Sequence, residues 1–446
     1  MIHQLITDSE IHYEWSKSLS KTYGYTEHVR VVPLETSLGL SSSAITDLFS
    51  EWYPSISNRA RRGTQQALQA VLLNIARALR ETQRHSAMTG FICPTSNTHH
   101  KTIKRYQECD FSRVVFGSVL KDLADKGLLE CHKGYRGKDF SVGLASLWLP
   151  TDNARELLSE LSASAEVMPF HDNTESIVLK DDEGELIDYQ DNDETRLMRS
   201  ELELLNELRQ SATWSYRPAE RFHNDTGELV LSDQYVSLGS RNVRFKRSFK
   251  GSFNIGGRYY GHAQCLSKAE RSTIIIDGEP TIEQDIKSMH VRMLYNYLGK
   301  PAPADGYDID GYDRETAKKV ALIALNADSE KSAAGAIRQS LGFTSNEAKQ
   351  AIESFRQAHK PIAEFLYSSS WKQLQYLDSE LARGIQLRAA EQGIPVIPIH
   401  DSFLTGSSKA DILAEIIHSE YEKRFGYPPT FSNAITYKKN FNMIQS

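Results

Sequence analysis

A short apolar stretch near the carboxyl-terminal end of the chain, residues 394–399, is followed directly by His400, Asp401 and Ser402. Its isoleucine and valine residues predict a buried strand, which must turn where the His-Asp pair begins. An aspartate at the end of an otherwise apolar strand costs free energy unless its carboxylate meets a cation or another partner. The stretch therefore predicts a β-strand that carries a functional acid at its end.

A second aspartate is predicted to lie at a strand end further upstream. Residues 273–276, the Asp277-Gly278 pair and residues 281–284 have the pattern of a β-hairpin, which ends at Asp285. A helical pattern follows over residues 288–298. We expect two carboxylates on adjacent strand ends to hold two divalent metal ions about 3.5–4 Å apart, as in phosphoryl-transfer enzymes.

A helical segment between the two aspartates carries two cations four residues apart, Arg314 and Lys318. Lysine holds phosphate oxygens as a point charge and arginine holds them as a planar fork, so the pair is a candidate triphosphate site. Each feature alone has a simpler interpretation: a solvated helix face for the cations, a helix cap for Asp285 and an ordinary turn for Asp401. The joint occurrence of all three favours a catalytic site.

These residues resemble the palm of family A DNA polymerases and of the related single-subunit, phage-type RNA polymerases, over residues 241–405. The pattern Asp285-x4-His290-x-Arg292 resembles motif A, in which the fifth residue after the aspartate senses the sugar. Residues 400–402 resemble motif C. The resemblance implies that the two strand-end aspartates belong to one active site.

Residues 314–326 resemble motif B, the fingers helix that grips the incoming triphosphate, and the three motifs occur in the family's order. The resemblance implies nucleotidyl transfer with two Mg²⁺ ions, or Mn²⁺ in their place, held by Asp285 and Asp401. The nucleotide-binding residues that it implies are Arg314, Lys318, His290, Leu322 and Asn326. The supporting residues that it implies are His400, Ser402 and Arg292.

The chain departs from the family at several positions. His290 stands where the DNA polymerases carry a glutamate, Leu322 and Asn326 replace aromatic residues, and Ser402 is shared with the RNA polymerases. The polymerase-like part is also short, at about 250 residues. We therefore predict a reduced DNA polymerase of a mobile element, a phage or plasmid. A primase or RNA polymerase on the same palm is the first alternative, and a non-catalytic replication initiator is the second.

The net charge of −6 hides an uneven distribution. Residues 236–272 contain eight Lys or Arg against one acid, Glu270, and phenylalanine and tyrosine residues lie between the cations. Cations for phosphates and aromatic rings for bases are typical of strand-binding surfaces. The predicted nucleic-acid-binding residues in this segment are Arg244, Lys246, Arg247, Lys250 and Arg258. By contrast, residues 171–194 carry ten acids and one lysine, which indicates a solvated linker.

The amino-terminal third has the pattern of a separate module. A helix is predicted over residues 64–82, a second from Arg113 to about Lys126, and a strand, glycine-rich turn and return strand over residues 128–142. This order resembles a winged helix-turn-helix domain of the kind that plasmid replication initiators carry. Its predicted DNA-binding residues are Arg113 and Lys121 on the recognition helix and Lys133, Arg136 and Lys138 in the wing. Winged helices also dock proteins, and this alternative stays open.

Together these patterns predict an α+β chain in which a palm and fingers, a reduced right hand, follow an all-α or winged-helix DNA-binding domain. The predicted order is a segment of unknown role (1–57), the winged helix (58–152), an acidic linker (153–194) and the polymerase domain (195–446), with palm 241–300 and 394–446 and fingers 301–370. The expected partners are dNTPs or NTPs and DNA, as a primer-template or single strand at the palm and as duplex at the winged helix. The chain lacks a membrane-length apolar run, a signal peptide and a Cys-x-x-Cys pair, so we expect a cytoplasmic protein without membrane contact.

Overall fold

The computed structural model describes residues 30–32, 34, 36, 38–85, 88–93, 103–107, 109–133, 146–161, 165–169, 175–222, 229–239, 242–368 and 371–432. The chain divides into two compact units, Met1–Glu175 and Ser176–Ser446. Both units combine helices with β-sheets, as the predicted mixed class requires. None of the described helices is long and apolar enough to span a lipid bilayer.

The first unit is built around one sheet and one long helix. Its described elements, in chain order, are β1 (Arg30–Val32), β2 (Leu38–Ser41), α1 (Ser43–Trp52), α2 (Asn58–His85), β3 (Thr89–Cys93), α3 (Arg113–Asp125), β4 (Leu129–His132), β5 (Ser146–Pro150), α4 (Asp152–Leu161) and β6 (Glu166–Pro169). The main sheet has the order β1-β3-β5-β4, and β2 pairs with β6. The pairs β3–β5 and β5–β4 are antiparallel, and β1 runs parallel to β3.

Two predicted helices of this unit are confirmed. The predicted helix 64–82 lies within α2, where residues at helical spacing such as Leu68, Val71 and Ile75 are buried in the core. The second begins at Arg113 because the Ser112 side chain accepts the main-chain N–H of Val115 at 3.3 Å. It ends at Asp125, ahead of Gly127.

The second unit contains three sheets and a helical subdomain. Its described elements are β7 (Ile177–Lys180), α5 (Asp193–Ser211), β8 (Trp214–Tyr216), β9 (Ala219–Phe222), β10 (Leu229–Leu231), β11 (Val236–Ser237), β12 (Phe245–Lys250), β13 (Ser252–Gly261), α6 (Lys268–Arg271), β14 (Ile275–Ile276), β15 (Glu279–Asp285), α7 (Met289–Tyr297), α8 (Arg314–Asn326), α9 (Glu330–Leu341), α10 (Ser345–Ala358), α11 (Trp371–Ala390), β16 (Ile397–Ile399), β17 (Ser402–Gly406) and α12 (Ala410–Phe425). The largest sheet has the order β11-β8-β14-β15-β17-β16.

Both predicted strand ends belong to this six-stranded sheet. The hairpin β14–β15 turns at Asp277 and Gly278, whose φ angles of 46° and 83° suit a tight turn that requires two left-handed residues. The hairpin β16–β17 turns at His400 and Asp401. Because β15 pairs with β17, the two hairpins form one continuous antiparallel surface.

The acidic segment is not simply a linker. Residues 177–180 form β7, which pairs in parallel with β12 and buries Ile177 and Leu179 in the core of the second unit. Their apolar alternation outweighs the surrounding acidic residues, because a strand needs one apolar face and its acids can lie in the flanking turns. The boundary between the two units therefore lies after Glu175, upstream of the predicted boundary at residue 194.

Candidate active site

Asp285 and Asp401 lie on neighbouring strand ends. Asp285 is the last residue of β15 and is paired with Ser402 of β17. The main-chain N–H of Ile286 donates to the carbonyl oxygen of Asp401 at 3.2 Å. The two aspartates are thus one residue apart in register on adjacent strands, as the family resemblance implied.

The turn that carries Asp401 has an unusual backbone. His400 has a φ of 54°, in the left-handed region, and its side chain is exposed. A non-glycine residue in this region is uncommon and persists where its surroundings determine the conformation. Ser402, which follows Asp401, anchors the far side of this turn, because its buried hydroxyl donates to Glu283 Oε1 at 2.6 Å. The turn therefore holds Asp401 in one defined position beside β15.

The two carboxylates lie in an environment that disfavours their negative charge. Burial raises the pKa of both Asp285 and Asp401, and the charge of Asp401 raises that of Asp285 further. The hydroxyl of Ser432, which donates to Asp285 Oδ2 at 2.6 Å, lowers the pKa of Asp285. The charge of Lys318 lowers the pKa of both aspartates, and that of Arg258 lowers the pKa of Asp401. A pair of half-buried carboxylates in this situation is stabilised by an additional cation.

The donor set of this site suits Mg²⁺ bound together with a substrate. Among the described residues there is no group of three or more His, Cys, Asp and Glu side chains that could enclose a metal ion. Mg²⁺ is commonly held by one or two carboxylates plus water and substrate phosphates rather than by a complete protein cage. Asp285 and Asp401 would hold the metal, with the remaining ligands supplied by the substrate.

The two cations of α8 have different surroundings. Lys318 is half-buried and close enough to both aspartates to lower the pKa of each. Arg314 instead donates to Asp305 Oδ2 at 2.7 Å and lies over the ring of Tyr307 at 5.4 Å. The structure therefore brings Lys318 to the acid pair and engages Arg314 in an ion pair at the start of the helix.

The other implied nucleotide-binding residues of α8, Leu322 and Asn326, continue the same line of the helix at four-residue spacing. Leu322 is half-buried and Asn326 is exposed. The adjoining side of α8 is covered, since Ala317, Ala321 and Ala324 are buried in the core of the second unit. Packing thus fixes which side of α8 remains available to a ligand.

His290 is held by an arginine of β13. Arg258 Nη2 lies 3.1 Å from His290 Nε2, and the same guanidinium contacts Asp378 Oδ2 through Nε at 2.9 Å and Nη2 at 2.8 Å. Burial, together with the charge of Arg258, lowers the pKa of His290 to about 4. His290 is therefore neutral at physiological pH, with Nε2 accepting a hydrogen bond.

Arg292 has a supporting position two residues further along α7. It is buried and donates to the carbonyl oxygens of Lys287 at 3.3 Å and Pro303 at 3.2 Å. These bonds tie the start of α7 to the loop that carries Asp305. Arg292 thus stabilises the loop whose acid holds Arg314.

The prediction that Arg247 contacts nucleic acid conflicts with its position in the fold. Strand alternation on β12 places Arg247 on the inward side between Phe245 and Phe249, where it is 1% exposed. Its guanidinium pairs with Glu380 at 2.8 Å. The charge of Arg247 is therefore neutralised in the protein interior. A count of cations along the sequence cannot distinguish such a buried arginine from one on the surface.

The other cations of this segment vary in their availability. Arg244 is partly exposed but pairs with Glu203 at 2.7 Å, and Arg258 pairs with Asp378. Lys246 and Lys250 are half-buried on the outward side of β12, and Lys246 lies opposite the exposed Tyr260 of β13. The aromatic and cationic surface is therefore smaller than predicted.

In the first unit, Lys121 on α3 and Lys133 at the end of β4 are exposed. Arg113 is half-buried, and its Nη2 atom is buried without a hydrogen-bond partner in the part of the chain that the structure describes. Its guanidinium therefore does not project freely from α3, contrary to its predicted role on a recognition helix. Arg136 and Lys138 lie outside the described residues.

Several residues of the site were not predicted from the sequence. Ser432 and Asp305 lie outside any periodic pattern, so no signal marked them. Asp378 had a weak signal, because it occupies a helical position in register with the buried Leu374, Leu381 and Ile385. A charged residue at a core position of an amphipathic helix needs a partner, and that expectation could have identified it.

Comparison with known proteins gives little further information. No family model matches the chain, and no curated protein matches it. Among solved structures it is similar to the POL domain of Pol1 from M. smegmatis, determined in complex with a DNA primer-template and dNTP. The TM-score is 0.32 at 10% sequence identity, over 87% of this chain and 70% of that one. A match of this extent does not establish a common fold, so the functional proposal rests on this chain's own side chains.

Proposed function

We propose that the second unit is a template-directed nucleotidyltransferase, a small DNA polymerase of a mobile element such as a phage or plasmid. The observation that carries the proposal is the placement of Asp285 and Asp401 on adjacent strand ends, where the charge of Lys318 lowers the pKa of both. Two acids bind the metal ions and a lysine binds the triphosphate, which are the groups that nucleotidyl transfer requires.

Each side chain then has a defined part. When bound, two Mg²⁺ ions supply activation of the primer 3′-hydroxyl and neutralisation of the charge on the departing pyrophosphate. Asp285 and Asp401 hold them, and Ser432 orients the Asp285 carboxylate through its 2.6 Å hydrogen bond. Lys318 binds triphosphate oxygens, and Arg314 joins it if the triphosphate competes with Asp305 for the guanidinium. His290 lies at the sugar.

A hydrolase acting on phosphodiesters would also use paired carboxylates, but it has no need of a lysine placed for a triphosphate. Synthesis of RNA on the same site is the nearer alternative, because exposed Asn326 leaves a polar position where DNA polymerases have an aromatic ring.

The deciding assay offers labelled primer-template or single-stranded DNA with dNTPs or NTPs, with and without Mg²⁺. We expect Mg²⁺-dependent primer extension with dNTPs. Incorporation by none of these combinations would contradict the proposal.

Sugar choice is expected to depend on His290. A neutral imidazole excludes a 2′-hydroxyl by its bulk alone, and steric exclusion of this kind gives only a few kcal/mol of discrimination. We therefore expect the wild type to prefer dNTPs while incorporating NTPs measurably. His290→Ala should increase relative use of NTPs by about tenfold in competition assays. Tyr297→Ala, which alters an exposed residue of the same helix, is the control, and a strict NTP preference of the wild type would reverse the assignment.

We propose further that the first unit is a winged-helix domain that binds duplex DNA. The proposal is supported by α3 followed by the antiparallel pair β4–β5, and by the exposed cations Lys121 and Lys133. Docking of a protein partner is the alternative role.

Salt dependence distinguishes the two roles of the first unit. Replacing Lys133, Arg136 and Lys138 together with glutamine should weaken duplex binding and reduce the slope of log K against log salt by about 0.9 for each lost phosphate contact. Fluorescence anisotropy across a salt series measures both quantities. Arg155→Gln removes an exposed cation of α4 that pairs with Asp152 and controls for the loss of a surface charge outside the proposed wing. An unchanged slope in the triple variant would favour protein docking.

A further inference from the structure

A buried acid on α11 connects to the candidate active site through one arginine. Asp378 is 2% exposed, and its Oδ2 atom accepts a hydrogen bond from Nε of Arg258 at 2.9 Å and lies 2.8 Å from Nη2 of the same guanidinium. The same Nη2 atom lies 3.1 Å from His290 Nε2. A guanidinium nitrogen carries two hydrogens, so Nη2 can serve the carboxylate and the imidazole at once. Asp378 and His290 are thereby joined through a single planar group.

We propose that Asp378 is a positioning residue for sugar selection, which fixes the orientation of Arg258 and through it the orientation and tautomer of His290. The inference rests on the proposed function, because it assigns a specificity role to the sugar-sensing position of that site. It adds a residue that lies 93 positions after Asp285 in the sequence and outside the three motifs. Its effect on selection passes through Arg258.

The contacts of His290 explain why such positioning is needed. A histidine ring can turn about two side-chain bonds and can carry its proton on either nitrogen. Because Arg258 has no acceptor atom, its contact with Nε2 requires the lone pair there and places the proton on Nδ1. The burial that lowers the pKa of His290 keeps the ring neutral, so the hydrogen bond persists at physiological pH. One ring orientation then presents one shape to the sugar.

Arg258 in turn depends on Asp378. Nε of Arg258 donates a hydrogen bond to Asp378 Oδ2, and the ion pair with the same oxygen adds a charge-assisted contact that holds the guanidinium in place. Asp378 Oδ1 is buried and has no hydrogen-bond partner among the described residues. Asp378 lines a cavity of about 10 Å³ together with Arg258, Gln264, Ser379 and His400, which is about the volume that one water molecule needs. Burial raises the pKa of Asp378 to about 7 against the lowering effect of Arg258, so this acid is retained at a free-energy cost.

A neighbouring ion pair provides a matched control. Glu380, two residues further along α11, pairs with the buried Arg247 at 2.8 Å, and that arginine bonds to Gly257 and Ser379. The two pairs join the same helix to the same pair of strands, and both arginines are largely buried. They differ in that Arg258 contacts His290, whereas the hydrogen bonds of Arg247 go to Gly257, Ser379 and Glu380. Loss of either ion pair should lower folding stability, whereas only loss of the Asp378 pair should also change the selectivity between dNTPs and NTPs.

The experiment compares Asp378→Ala, Asp378→Asn and Glu380→Ala in the full-length chain. Competition between dNTPs and NTPs gives the selectivity, single-nucleotide extension gives the dNTP rate, and thermal unfolding reports on folding. We expect Asp378→Ala to reduce selectivity by about tenfold, with a smaller loss of dNTP incorporation. Asp378→Asn retains an acceptor oxygen and should recover part of the selectivity. Glu380→Ala should lower thermal stability and leave selectivity within about twofold of the wild type.

Equal losses of selectivity in Asp378→Ala and Glu380→Ala would overturn the inference, since both ion pairs would then act only on the fold. Histidine ¹⁵N spectra give a readout that needs no activity, with the His290 signal assigned by its absence in His290→Gln. The wild type should show the Nδ1–H tautomer and Asp378→Ala a mixture of tautomers. An unchanged tautomer in Asp378→Ala also overturns the inference. Absence of nucleotide incorporation by the wild type would instead contradict the proposed function, while the spectra still test the connection to His290.

Discussion

Asp285→Asn and Asp401→Asn should each reduce nucleotide incorporation by about 10³-fold or more, because each substitution removes a ligand of the metal ions that carry most of the transition-state stabilisation. The measurement is single-turnover primer extension at saturating Mg²⁺. DNA binding should change little, since neither carboxylate contributes a favourable charge to a phosphate backbone. Wild-type rates in either variant would contradict the assignment of the site.

The folding stability of these asparagine variants should not fall with their activity. Burial raises the pKa of both aspartates, so their ionised forms cost folding free energy that a neutral asparagine does not. For an acid with a raised folded-state pKa, the protonated fold is the more stable one, and this stability is lost as the pH rises through that pKa. At neutral pH we therefore expect the unfolding free energy of Asp401→Asn to equal or exceed that of the wild type.

A control on the same strand separates the loss of a ligand from damage to the sheet. Glu279 begins β15, and its carboxylate accepts hydrogen bonds from Ser407 and Ser408 at distances between 2.9 and 3.2 Å. Glu279→Gln perturbs those bonds at the far end of the strand from Asp285. It should lower stability modestly and retain incorporation. Loss of activity in this variant equal to that of Asp285→Asn would point to the sheet rather than to the acid.

Local sequence rules predicted the strand ends well. The Asp277-Gly278 turn and the apolar stretch before His400 specify their hairpins through residues that are adjacent in sequence, and both hairpins are present. The pairing of β15 with β17, which brings the two aspartates together, joins segments more than 100 residues apart. It could be expected only from the family resemblance, because no periodicity encodes which strand ends meet.

The same rules failed where a tertiary contact decides. Composition marked Arg247 as a surface cation, but its place on the inward side of β12 and its pairing with Glu380 bury it. The acidic segment around residues 177–180 was predicted as a linker, although two apolar residues there suffice to add a strand to the sheet. Contacts such as Ser432 to Asp285, separated by 147 positions, are set by the assembled fold.

Lys318→Ala should reduce kcat/KM for the incoming nucleotide by about 10²-fold or more, if Lys318 binds the triphosphate in the proposed way. A lysine that stabilises charge developing on the leaving pyrophosphate affects kcat, whereas one that only binds the ground state affects KM. We expect both constants to change, because the charge of Lys318 acts on both carboxylates, which lie at the proposed reacting centre. Pre-steady-state extension over a range of nucleotide concentrations separates the two effects.

The adjacent residue, Lys319, provides the control for the Lys318 prediction. Lys319 is exposed on the same turn of α8, so Lys319→Ala removes an equal charge from the same helix without altering the acid pair. Lys318 also lowers the pKa of Asp285 and Asp401, so its removal should raise both pKa values and shift the acidic limb of the pH–rate profile to higher pH. Lys319→Ala should leave that limb in place. Because metal binding requires ionised carboxylates, the shift reports on the position of Lys318 beside the acids even where nucleotide affinity is unchanged. If both variants had the same rate and the same pH profile, Lys318 would be an ordinary solvated residue and the proposed triphosphate site would be wrong.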